Sequence, residues 1–218
     1  MFNLASATGV SRIVKYHRPS FREEGYRVNP RRLRIAVIGT SGSGKTTVST
    51  QIARRLKIRH IELDAIHWRR GWKGTPLTEF REAVEEATTG ASWVVDGNYR
   101  RVRDIVWRKA AMVVWLDLPF NIVFWRIVLR TVKRIVTRQK LWNTNMERWD
   151  ALFGPDSMPL WVMKTYWRRK TEYPALFSKP EYAHLQVIRL TSIREVTEWL
   201  EALEYKQEAS ELHFGTQG

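Results

Sequence analysis

The chain has 218 residues, no cysteine, 44% hydrophobic and 12% aromatic residues, and a formal net charge of +15. That is the size of one α/β domain with a core and room for a small insertion, and the missing cysteine excludes disulfides, thiol catalysis and cysteine-ligated zinc. The charge calls for an anionic partner, whether nucleotide, nucleic acid or acidic membrane surface.

Residues 1–31 alternate basic and polar side chains around Pro19 and Pro30, with no sustained period, and are read as a basic arm without order of its own. No apolar run reaches the roughly 18 to 20 residues of a membrane span, and the first twenty residues lack the apolar core of a signal peptide, so a cytoplasmic protein with no membrane partner is expected.

From Arg32 to Tyr205 short β-rich runs alternate with longer amphipathic ones, the pattern of right-handed βαβ crossovers and a parallel sheet. Strands are predicted in RLRIAVIG, RHIELD, SWVVDG, AAMVVWLDLP and HLQVIRL, with helices starting near Lys45, Thr78, Arg100, Phe120 and Ser192. The last start carries a capping-box pair, Ser192 and Glu195. Residues 131–182 interrupt the alternation: they are helical in composition, rich in Arg and Trp, and broken at Gly154, Pro155, Pro159 and Pro174, as in an inserted helical lid. Residues 206–218 are polar and are expected to form a flexible tail. Most of the tryptophans, Trp93, Trp115 and Trp125 among them, fall at core spacing, and Trp68 and Trp72 stand beside the expected cleft.

One segment carries the chemistry. IAVIGTSGSGKTT fits GxxxxGK[ST] with Gly39, Gly44, Lys45 and Thr46, between a predicted buried strand and a helix start. Glycines let the main chain turn its N–H groups inward, and the helix N-terminus adds its dipole, so Gly39, Thr40, Ser41, Gly42, Ser43, Gly44, Lys45, Thr46 and Thr47 are expected to wrap the phosphates of ATP. In that geometry Lys45 reaches the terminal phosphates and Thr46 holds Mg²⁺.

Around this loop stand further candidates. Asp64, at the end of the second predicted strand, is placed to orient or deprotonate an acceptor hydroxyl, or else caps the next helix. His67 and Trp68 follow it as acceptor contacts, or as packing. Asp96 ends the third strand, where it is suited to Mg²⁺ through water, and Arg100 turns a fork of donors toward the same cleft; Asp-Gly is also a common turn. Arg126, Arg130, Arg134 and Arg138 recur every fourth residue, along one helix face that is either solvated or serves to neutralise a transferred phosphoryl group.

The segments GTSGSGKTT, IELDAIHW, VVDGNYR, and WLDLPFNIVFWRIVLR running into LWNTNMERW resemble the adenylate-kinase-like branch of the P-loop small-molecule kinases, within it the topology-modulation or adenylate-kinase-related group. The resemblance implies a three-layer α/β/α P-loop fold, a five-stranded parallel sheet in the order 2-3-1-4-5 and a lid. It also implies Asp96 near Mg²⁺, Arg100 on the acceptor, Arg126 on the ATP base and Arg130 on phosphate. Asn98 and Tyr99 replace the aromatic and proline of the adenylate kinase pattern, the acceptor segment after Asp64 is short, and the lid lacks that family's arginine and paired-aspartate pattern, which points away from AMP as acceptor.

The expected activity is ATP- and Mg²⁺-dependent transfer of the γ-phosphoryl group to a small molecule such as a nucleotide or nucleoside, with Arg130, Arg134 and Arg138 on the transferring group. The alternatives are a kinase of a non-nucleotide hydroxylated metabolite and an ATP-binding regulator that contacts nucleic acid.

Overall fold

The computed structural model describes residues 33–155 and 157–214, with side chains described as far as Leu203. The basic arm expected over residues 1–31 lies outside the described residues.

β1 (Arg34–Gly39), RIAVIG, is buried almost throughout. Such a run suits a strand covered on both faces, and the pleat sorts it. Ile35 and Val37 join Val94, Val114 and Ile188 in one core cluster, while Ala36 and Ile38 join Val95, Val113 and Trp115 in another. The chain then forms α1 (Lys45–Leu56), β2 (Arg59–Glu62), α2 (Leu63–His67), a hairpin of β3 (Trp68–Arg69) and β4 (Lys73–Gly74), α3 (Leu77–Ala87), β5 (Trp93–Asp96), α4 (Arg103–Lys109), β6 (Met112–Leu116), α5 (Phe120–Val136), α6 (Asp150–Phe153), α7 (Met158–Phe177), β7 (Gln186–Leu190) and α8 (Ile193–Phe214).

The large sheet is parallel, in the order β2-β5-β1-β6-β7. Counted among its own five strands this is 2-3-1-4-5, the expected order. Side chains of α1 and α8 (Val48, Ile52, Trp199, Leu200) cover one face, and those of α3, α4 and α7 (Phe80, Val84, Trp107, Tyr173, Phe177) cover the other, giving three layers. No helix among the described residues is long and apolar enough to cross a membrane.

Several expectations need correcting. β2 stops at Glu62, and Asp64 lies in the first turn of α2 rather than at a strand end. Arg100 opens a 3-10 turn, and α4 proper begins at Arg103. Pro174 does not break α7: Tyr173 and Phe177 on either side of it are anchored in the aromatic core with Trp107 and Trp115, and this packing outweighs one missing N–H near the helix end. That anchoring also ties the second half of α7 to the domain core, leaving residues 137–155 as the irregular part of the interrupted region. α5 ends at Val136, so Arg138 has left the helix; it is exposed, with φ 47°. Trp93 and Trp115 are core residues as expected, but Trp125 is 61% exposed. α8 continues helically to Phe214, past the point where the polar composition placed a tail. Its N-terminus is capped as expected: Ser192 Oγ accepts from Glu195 N–H, while the Glu195 carboxylate accepts from Thr191 N–H.

Candidate functional site

The carboxyl edge of the sheet opens into a cleft of about 1760 Å³, lined from α1 round to α7. The glycine loop forms its floor. Gly44, at φ 93°, is the N-cap of α1 and its carbonyl accepts from Val48 N–H. Gly42, at φ 86°, lies so close beneath α5 that a Cβ there would stand 2.6 Å from the Val123 carbonyl oxygen, so only glycine serves on both counts. The loop is held from outside by Asn98, whose side-chain oxygen accepts from Gly39 N–H at 3.3 Å while its amide donates to Gly39 C=O. Ser41 to Thr47 all line the cleft, Thr46 and Thr47 with exposed side chains.

Lys45 donates to the Thr40 carbonyl at 3.3 Å. Its ammonium is pushed down to about 8, first by burial and then by Arg169 and Arg130, against the pull of Asp64 and Asp96. Arg130 is likewise held down, to about 10, by burial and by Arg134, and burial lowers Arg169 as well. Arg169, on α7, is only 8% exposed and lines the cleft; among the described residues its Nη1 has no hydrogen-bond partner, nor has Arg130 Nε. Arg169 and Arg130 both act on Lys45 beside the glycine loop, and their repulsion, only partly offset by Asp64 and Asp96, favours an anion there. Arg134 is different: it is paired with Glu147 at 2.8 Å, both largely buried. Arg126 is exposed and lines the cleft beside Gly44, whereas Arg138 is absent from the cleft wall.

Opposite the loop, Asp64 Oδ1 accepts from the Tyr99 hydroxyl at 2.6 Å. Burial and the Asp64 carboxylate raise the Tyr99 phenol far above its usual range, so it stays a donor. The N-cap of α2 is Glu62, without a side-chain cap, and Asp64 lies inside the first turn. His67 touches the cleft but is caged by Trp68, Phe80 and Tyr99 at ring distances of 4.7, 4.9 and 4.6 Å, and burial lowers its pKa. Trp68 lines the cleft edge-on to Trp72, 5.6 Å away. Asp96, opposite Val37 in the register, is buried, and its Oδ2 lies 3.6 Å from His60 Nε2. Arg100 is mostly exposed; with Arg103 and Arg168 it faces one carboxylate, Glu172, at 3.6, 3.0 and 3.9 Å.

The hairpin of β3 and β4 is sewn to the irregular segment by one buried residue, Asn145. Its side-chain oxygen accepts from the N–H groups of Gly71 and Trp72 at 2.7 and 3.0 Å, and its amide donates to the Arg69 and Trp142 carbonyls at 2.9 and 2.8 Å. Trp72 Nε1 donates to the Met146 carbonyl, and Trp142 Nε1 donates to Glu62. Sequence reasoning missed Asn98, Tyr99, Arg103, Asn145, Arg169 and Glu172. The only available signal was that Asn98 and Tyr99 stand where the adenylate kinase pattern has other residues.

ATP and Mg²⁺ can be tested against these residues. A polyphosphate fits: unpartnered guanidinium atoms of Arg130 and Arg169 border the cleft that Ser41 to Thr47 line. Among the described residues no cluster of three His, Asp or Glu side chains stands ready for a metal ion. Mg²⁺ in nucleotide sites relies on phosphate and water with one or two protein oxygens, and Thr46 and Asp96 supply that much.

No protein-family model matches the chain, and no curated protein does. Among solved structures it is similar to a gluconokinase from Sinorhizobium meliloti 1021, at 20% identity over 86% of this chain and 100% of that one, with a TM-score of 0.47. It is also similar to the shikimate kinase from Bacteroides thetaiotaomicron, at 17% identity over 82% of this chain and 98% of that one, TM-score 0.49. The shikimate kinase from Acinetobacter baumannii in complex with shikimate is similar at 16% identity over 86% of this chain and 96% of that one, TM-score 0.46.

Proposed function

We propose that this chain is an ATP- and Mg²⁺-dependent kinase of a small hydroxylated anion, related to the topology-modulation group of adenylate-kinase-like proteins. The observation that carries the reading is the pairing across one cleft of a phosphate-cradling loop, crowded by Lys45, Arg130 and Arg169, with a carboxylate whose one oxygen is already held by Tyr99.

In this reading the loop N–H groups and Lys45 hold the β- and γ-phosphates, and Arg126 flanks the nucleotide. Mg²⁺, held through Thr46 and water on Asp96, would neutralise phosphate charge when bound. Tyr99 fixes Asp64 Oδ1, leaving Oδ2 to accept the hydrogen of the acceptor hydroxyl. The acceptor oxygen bonds to the γ-phosphorus in line as the bond from that phosphorus to the β–γ bridging oxygen breaks; the acceptor proton passes to Asp64 and then to water, and ADP leaves. Arg130 and Arg169 stabilise the charge of the moving group. Arg100, Arg103 and Arg168 share one Glu172 carboxylate, so a second anion, a carboxylate or phosphate on the acceptor, is favoured there.

The test is an ATP-consumption screen of wild type and Asp64→Asn against nucleoside monophosphates, nucleosides, and hydroxylated carboxylates and sugar phosphates. Turnover with a hydroxylated anion that Asp64→Asn loses supports the reading. ATP binding without turnover on any acceptor overturns it.

A further inference from the structure

β2 and β5 pair so that Glu62 stands opposite Asp96 and His60 opposite Val94. Side chains two apart on a strand share a face, so His60 lies diagonally beside Asp96, within reach across the ladder. The two do meet: His60 Nε2 stands 3.6 Å from Asp96 Oδ2, with the side chains 16 and 6% exposed, and this is the ion pair that Asp96 makes among the described residues. Both facing atoms are buried, and neither has a hydrogen-bond partner among the described residues. The other ring nitrogen, Nδ1, meets the Thr50 hydroxyl of α1 at 3.5 Å. A line of three polar groups therefore runs from the helix that follows the glycine loop, through His60 on the edge strand β2, to Asp96 at the cleft.

Each group in the line sets the next. A hydroxyl donates only to a ring nitrogen that carries no hydrogen, so Thr50 donating to Nδ1 puts the ring hydrogen on Nε2, which faces Asp96. A buried carboxylate oxygen without a donor is costly, and Nε2 is the donor placed to meet it, just beyond hydrogen-bond length. Packing alone does not account for the arrangement, because an apolar side chain would fill the same place without burying two polar atoms face to face. Asp96 also lines the cleft, where a metal-bound water needs an acceptor oxygen held in one orientation. Engaging Oδ2 on the β2 side leaves Oδ1 for that water.

We infer that His60, itself held by Thr50, is a positioning residue that fixes the Asp96 carboxylate toward the Mg²⁺-bound nucleotide. The inference rests on the phosphotransfer reading, which gives Asp96 its metal. The test is calorimetric titration of ATP into the full chain, in excess Mg²⁺ and again in chelator, for wild type, His60→Ala, His60→Gln and Thr50→Val. Mg²⁺ is expected to tighten binding to wild type about tenfold or more, and His60→Ala to lose most of that gain with its affinity in chelator unchanged. His60→Gln, whose amide donates from about the place of Nε2, should keep most of the gain, and Thr50→Val should lose about threefold of it. A histidine that only supports the fold would instead weaken binding equally with and without Mg²⁺ and would not be rescued by glutamine. That equal loss overturns the inference, as does a gain from Mg²⁺ that is undiminished in His60→Ala, or in Thr50→Val should His60→Ala fail to fold. In these cases the phosphotransfer reading stands. Wild type that binds ATP in neither condition overturns that reading, and this inference with it.

Discussion

The two walls of the cleft are built in opposite ways. The wall proposed to hold the donor is one continuous stretch, Gly39 to Thr47, whose glycines are required by the turn itself. The wall proposed for the acceptor is assembled from partners far apart in the chain: Asp64 with Tyr99 across 35 positions, Gly71 with Asn145 across 74, Glu62 with Trp142 across 80. A wall encoded locally is fixed by a short pattern. A wall encoded through tertiary contacts can change its ligand by single substitutions while the donor wall stays as it is.

If the donor wall is the part common to every turnover, its loss should be the most damaging change. Lys45→Ala is expected to lower kcat/KM by about 10³-fold or more, measured with saturating acceptor. Asp64→Asn should lower kcat by about 10²-fold or more and leave the KM for ATP unchanged; a matching rise in the ATP KM would show that the walls are not separable. Asn145→Ala leaves two N–H groups of the hairpin without their acceptor, so we expect a loss of about 2 kcal/mol in denaturant unfolding and a severalfold rise in acceptor KM, with ATP affinity unchanged in calorimetry. Tyr99→Phe frees Asp64 Oδ1 and should reduce kcat by about tenfold at most.

The smallest effect concerns protons. Free Lys45 is held down to about 8, and a bound polyphosphate favours its charged form, so the complex keeps a proton that the free protein releases above that pH. Affinity for the nucleotide is therefore full below about 8 and falls as pH rises through it, by no more than about tenfold per pH unit. Calorimetry at about pH 8.5 in buffers of different ionisation enthalpy should register proton uptake on binding, and proton release would reverse the sign of the argument.

The strands and the loop were legible because each rests on local pattern, apolar runs for buried strands and a glycine string before a helix, whereas the order 2-3-1-4-5 and the three layers came from the resemblance to the adenylate-kinase-like kinases. Trp125 was misread. Val123, Ile127 and Thr131 carry the buried face of α5, and Trp125, two residues from Val123 and from Ile127, stands on the opposite side of the helix, where its apolar character alone did not make it core. Arg138 follows Arg126, Arg130 and Arg134 in perfect step, but the helix stops two residues before it. Asn98 showed only as a departure from the adenylate kinase pattern, and Asn145 carries no signal in sequence, since an asparagine that bridges distant backbone reads like any loop asparagine.

The central claim is that the loop from Gly39 to Thr47 binds nucleoside triphosphate and presents its terminal phosphoryl group to the Asp64 wall. Isothermal titration of Mg·ATP into wild type, Lys45→Ala and Gly42→Val tests it most directly. One-to-one binding to wild type that both variants lose is the predicted result; no heat of binding to wild type, or undiminished binding to Gly42→Val, would contradict it.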